Sequence, residues 1–202
     1  MIGKRNLERA LGRVPRLRDV DVRVTWRPYL LTPASTWSLG SVNKRQFYLE
    51  KFGEERMRAI EPRLRRAFAE AGIENFSMGG DTGPTLDAHR LLAYAESLDH
   101  TGAMQNNLME GLFKRYFTME KAPCDAEALI DAAREAGVPN AAEVLADKSR
   151  FLLEVEEQMR AYARGVNGVP HFILSNGSKR LTFGGAQPSE TFEDAFEELL
   201  AR

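Results

Sequence analysis

The sequence predicts an α/β protein in which a long helical block separates two short segments that contain the strands. Three observations carry this expectation. Val20, Val22, Val24 and Trp26 alternate with polar residues, helical periodicity then recurs from Asn43 to Arg164, and the chain closes on a strand, tight turn, strand and helix from Pro170 to Leu199. At 202 residues the chain is predicted to form one domain, able to bury roughly 70% of its extended surface.

Each element follows from local chemistry. Leu7, Ala10 and Leu11 fall at helical spacing in Ile2–Leu11, a helix under way at residue 2 with no side chain before it suited to cap its amides. After Pro15 the alternating run Val20–Trp26 predicts a half-buried strand that ends before Pro28. Leu31 to Val42, rich in Pro, Ser, Thr and Gly, predicts a surface loop. Asn43 is placed to cap a helix carrying Phe47, Tyr48 and Phe52 that ends at Gly53. Glu54–Ala71 follows with Met57, Ile60, Leu64 and Phe68 along one stripe, and Pro62 is expected to kink or interrupt it. Its arginines alternate with glutamates, the pattern of a solvated, ion-paired face.

Glycines crowd Gly72–Pro84, which predicts a mobile tip. Thr85 is the expected cap of a helix running through Leu86–Ala95, and Ala103–Phe117 is a second, apolar helix, the pair forming the core of a helical subdomain. Asp125 is placed to cap a helix to Ala136, Asn140 a short one, and Ser149–Arg164 leads into Gly165-Val166-Asn167-Gly168-Val169-Pro170. Pro170 stands at a strand entrance, where a missing N–H costs no ladder bond. The turn Ser175-Asn176-Gly177-Ser178 favours a tight hairpin with Arg180–Phe183, and the last helix buries Phe192, Ala195, Phe196 and Leu199.

Composition narrows the functional classes. With 28 Lys and Arg against 29 Asp and Glu, the chain carries no overall field for nucleic acid or an anionic membrane. No apolar run is long enough to span a bilayer, and Met1–Glu8 lacks the apolar core of a secretion signal, so a cytoplasmic location is expected. The single cysteine, Cys124, supplies neither an intrachain disulfide nor a Cys-x-x-Cys pair. It adjoins a predicted helix start but has no base or resolving thiol in sequence, and is expected to be inert. His89, His100 and His171 lack metal-ligand spacing, and Gly79-Gly80 and Gly184-Gly185 lack the context of a dinucleotide loop.

Five short stretches in order resemble the FrnE-like members of the DsbA family: Ile2–Glu8, Trp26–Leu31, Thr85–Leu91, Gly168-Val169-Pro170 and Gly185-Ala186-Gln187-Pro188. The resemblance implies a thioredoxin-like fold with a large α-helical insertion, a single domain with thioredoxin-like parts at 1–42 and 165–202 and the insertion at 43–164. It implies thiol–disulfide oxidoreduction or isomerisation, with a protein thiol or disulfide, or glutathione, as partner and no resident cofactor. It also implies that Val169 and Pro170 border the substrate groove, that the Val169–Pro170 bond is cis, and that His89 lines a face of the insertion. His171, next to the proline, points either to the groove or into the sheet. The family's first strand and Cys-Pro-Trp-Cys motif would precede Met1, so the first strand and catalytic cysteines are expected to be missing, by truncation or by loss, and the chain to be inactive in disulfide exchange. Kappa-class glutathione transferases with 2-hydroxychromene-2-carboxylate isomerases, and a non-catalytic peptide- or protein-binding module, are the alternatives.

Overall fold

The computed structural model describes residues 1–37 and 40–201; Ser38 and Leu39, inside the loop predicted over Leu31–Val42, and Arg202 lie outside the described residues. In chain order the elements are α1 (Ile2–Arg13), β1 (Val42–Asn43), α2 (Lys44–Phe52), α3 (Glu54–Glu70), β2 (Asp81–Thr82), α4 (Leu86–Leu98), α5 (Ala103–Thr118), α6 (Ala126–Glu135), α7 (Ala141–Ala146), α8 (Leu152–Tyr162), β3 (His171–Ser175), β4 (Arg180–Gly184) and α9 (Ser189–Leu200). Short 3-10 turns cover Pro15–Asp19 and Ala34–Trp37. The chain divides into two compact units, Met1–Arg23 with Gly165–Arg202, and Val24–Arg164.

The first unit is a helix–hairpin–helix assembly. Antiparallel β3 and β4 pair Phe172 with Phe183 and Leu174 with Leu181, so the period-two pleat sends these four to one face and His171, Ile173 and Ser175 to solvent. Phe192 on α9 is fully buried and meets Phe172 and Phe183 edge-on, with centroids 4.7 and 5.1 Å away. Ala10 and Val14 of the α1 region complete this core with Phe196. Arg13 and Arg16 reach Glu193 and Glu197 at 3.2 and 3.0 Å, pinning the end of α1 to α9. At the hairpin tip Gly177 has φ +89°, and the Asn176 carboxamide oxygen accepts from the amides of Ser178 (3.0 Å) and Lys179 (2.7 Å).

The alternating run Val20–Trp26 does not form the predicted strand. Val20 is extended (φ −120°, ψ 131°), but no described strand pairs with the run, and Val20 and Val22 remain exposed. Alternation specifies an amphipathic ribbon; a strand exists only where a neighbour completes its ladder. At Trp26 a side chain does that work: the Gln105 amide accepts from the Trp26 N–H at 2.8 Å and donates to the Trp26 carbonyl at 3.1 Å.

The second unit is helical. Leu91 and Ala95 of α4, Leu108 of α5, Leu129 and Ala132 of α6 and Val144 of α7 form its buried centre. Asn43 caps α2 by accepting from Gln46 N at 3.0 Å, and Asp125 caps α6 by accepting from Ala128 N at 3.1 Å. Thr85 occupies the cap position of α4 without a side-chain bond to it. Helix α3 continues through Pro62 without the expected interruption. Pro62 lies on the exposed face, so the Arg58 carbonyl that loses its helical donor can be hydrated.

The glycine-rich stretch Gly72–Pro84 is packed down and is no mobile tip. Ser77 N donates to Phe117 O and Lys44 N to Gly80 O, both at 2.9 Å, and β2 pairs with β1 through Val42–Thr82 and Asn43–Asp81. The glycines serve close approach. A Cβ on Gly80, where φ is +74°, would fall 2.7 Å from the Glu120 carbonyl carbon, and one on Gly79 would fall 2.8 Å from the Glu120 carboxyl carbon. Among the described residues no helix is long and apolar enough to cross a membrane.

Candidate functional site

Val169, Pro170 and His171 lie together in the first unit, at the entrance to β3, and the Val169–Pro170 peptide is cis. The turn is held from two sides. Gly185, at φ +82°, donates its N–H to the Pro170 carbonyl at 2.8 Å, and the Gln187 side chain donates to Gly184 O at 2.7 Å. Asn6 on α1 donates to Gln187 O at 2.8 Å, so the Gly184–Pro188 stretch links the first helix to the proline turn.

The start of α1 abuts that turn. A Cβ on Gly3 would lie 2.9 Å from Phe172 Cζ and 3.3 Å from Pro170 Cγ, so glycine is what lets the helix backbone approach. No side chain caps α1 and no acidic residue stands in its first turn. The amide end of α1 carries the positive end of the helix dipole, which favours an anion over a cation beside it. Lys4, buried in the same turn, pairs with Glu8.

Val169 is half exposed, and its main-chain N–H and C=O have no hydrogen-bond partner among the described residues. These groups are free to pair with an extended chain, as an unpaired edge does in strand addition. His171 begins β3 opposite Gly184 and is exposed, on the solvent side of the hairpin.

His89 belongs to the other unit. It is half-buried on α4 and hydrogen-bonds the Tyr29 backbone; burial pushes its imidazole down to about 4, against the opposing effect of that bond, so the ring is neutral at pH 7. The resemblance that drew attention to His89 gave no role to its neighbour Arg90, which is fully buried and donates to the carbonyls of Arg150 (2.7 Å), Val144 (2.5 Å) and Asp147 and to the Asp87 carboxylate (2.7 Å). The signal available in sequence was the Asp87–Arg90 spacing of three, a pair that shares one helix face.

Cys124 is partly buried in the same unit as His89, and a Cβ on Gly83 would lie 2.6 Å from its sulfur. Burial pushes its thiol up, and the charges of Asp125, Asp87 and Asp81 act in the same direction, the opposite of what a nucleophilic cysteine needs. Among the described residues no cluster of three or more His, Cys, Asp or Glu is positioned for a metal ion.

Comparison with known proteins bears on the family and the fold. The chain is similar to a probable DsbA oxidoreductase from Streptomyces coelicolor of known crystal structure, with a TM-score of 0.83 and 28% identity over 98% of this chain and 83% of the other. No curated protein matches it. The family description "DSBA-like thioredoxin domain" matches residues 1–197. With that match over nearly all of its length, the chain belongs to the DSBA-like thioredoxin domain family.

Proposed function

We propose that this chain binds an extended polypeptide bearing a thiol or disulfide along Val169, and that it does not itself supply the sulfurs of the family's exchange reaction. The half-exposed Val169 backbone, with neither polar group bonded among the described residues, is the observation that carries this reading. A substrate strand would exchange main-chain hydrogen bonds with Val169, placing its cysteine near a helix terminus that favours the thiolate. In thiol–disulfide exchange a thiolate attacks one sulfur of a disulfide, forms a mixed disulfide and releases the other sulfur as thiolate. A two-cysteine cycle repeats that step from a second thiol, and these 202 residues contain one cysteine, remote in sequence from the turn and held in its protonated form.

Binding and turnover are tested apart. A cysteine-containing peptide able to extend is expected to bind saturably and to shift the Val169 amide resonance, and the same peptide N-methylated at the pairing residue is expected to lose most of its affinity. Insulin reduction with dithiol is expected to stay at the uncatalysed rate. Equal binding of the methylated peptide refutes the strand-pairing mode, and dithiol-dependent turnover refutes the proposed inactivity.

A further inference from the structure

The second unit forms a partly open cavity of about 190 Å³ between α2, α3, the end of α5 and the loop through Phe76–Met78. Its walls are apolar and largely aromatic. Phe68 and Phe76 stack at 4.1 Å with planes 19° apart, and Tyr48 and Phe52 lie nearly parallel at 5.9 Å. Lys44 is the sole charged residue in this lining and is 2% exposed.

That ammonium is incompletely matched. Nζ donates to Tyr116 O at 2.9 Å and lies 4.3 Å from the centre of the Tyr116 ring, which leaves donor capacity on a group with three N–H bonds. No ion pair to Lys44 forms among the described residues; Glu120, whose charge acts on it, instead accepts a hydrogen bond from Ser77. An ammonium desolvated by burial, on which the Glu120 charge acts without a direct ion pair, would gain from an anion brought into the same cavity. The Tyr48 and Tyr116 hydroxyls, 3.3 Å apart with Tyr116 donating to Thr82, add polar groups to two further lining residues.

We propose that this cavity is a binding site for a small aromatic carboxylate, one ring carrying one acid group, with the ring against the aromatic lining and the carboxylate on Lys44. The volume suits one ring, because an engineered apolar cavity of about 150 Å³ takes benzene. The aromatic lining favours a flat ring over a branched chain, and the single cation selects an anion over a neutral isostere. The site is independent of the Val169 turn.

The test titrates the full chain with phenylacetate and with neutral phenylacetamide, followed by calorimetry and by methyl resonances of Ile60 and Leu64. Phenylacetate is expected to bind saturably, about tenfold or more tighter than the amide. Lys44→Met is expected to abolish the preference for the acid. Because that change also removes a bond to α5, Leu64→Trp is the second variant: it fills the cavity without touching the charge, and is expected to eliminate binding while the chain still melts cooperatively. Absence of saturable phenylacetate binding, equal affinity for acid and amide, or undiminished binding in a folded Leu64→Trp variant overturns the proposal.

Discussion

Replacing Arg90 by Met keeps a long, unbranched stem inside α4 and deletes the guanidinium that organises the α7–α8 connection. The wild-type side chain serves the carbonyls of Val144, Asp147 and Arg150 at once, and its stem is fully buried. A buried acceptor stranded without a donor costs about 1–3 kcal/mol. Val144 O lies in a wholly buried setting, whereas the other two are partly buried and regain water when the fork is gone. Asp87 keeps its 2.7 Å partner Lys148. The sum is a loss of about 3–5 kcal/mol, a large share of the roughly 5–15 kcal/mol that holds a domain folded. Arg90→Lys retains charge but cannot fork to three carbonyls, and is expected to recover only a minor part of that loss. Urea unfolding at pH 7, followed by far-ultraviolet circular dichroism, measures both variants. A loss below about 1 kcal/mol for Arg90→Met, with an unchanged denaturant slope, would refute the view that this residue is the keystone of the connection.

Two further substitutions separate backbone conformation from crowding. Gly137→Ala, at φ +76° with open space around it, is expected to cost about 1 kcal/mol, the left-handed penalty alone. Gly80→Ala adds overlap with the Glu120 backbone and is expected to lose at least about 2 kcal/mol more in the same denaturation assay; equal losses would refute the close-approach account. The pH dependence of stability reports His89. Its folded value near 4 lies below the ordinary 6.5, so between these limits the unfolded chain binds the extra proton. Stability is expected to be complete above pH 6.5 and to fall as pH drops toward 4, with a slope of at most about 1.4 kcal/mol per pH unit from this group. The variant His89→Asn, compared with wild type by urea unfolding across that range, should lose this contribution.

Helices were legible wherever periodicity and caps agreed, as at Asn43 and Asp125, whose side chains make the bonds that their positions imply. The run Val20–Trp26 was misleading because alternation is a property of one segment, whereas a ladder belongs to two. Gln105, which supplies hydrogen bonds to Trp26, is far away in sequence and has no signature of that role. Glycine was ambiguous in the same way: around Gly80 it permits contact, not motion, and only the position of Glu120 distinguishes the two. Within the candidate site, Val169, Pro170 and His171 were singled out through the family resemblance of Gly168-Val169-Pro170, and they lie together because they are contiguous. Gly3 was missed, although a glycine in the first turn of a helix, at about 1 kcal/mol against alanine, is itself a hint of steric need. Arg90 was hidden among many helical arginines because burial cannot be inferred from charge.

The proline turn belongs to a unit whose sheet has two strands and whose core gathers around Phe192, Phe196, Ala10 and Val14. A two-stranded hairpin has little stability of its own, so its persistence is lent by the aromatic plug of α9. Amide hydrogens of β3 are thereby expected to trade with solvent through partial openings well before those of α4, which is buried along most of its length. A peptide strand bound at Val169 as proposed would then act as a splint, slowing that exchange in proportion to how fully the partner is engaged.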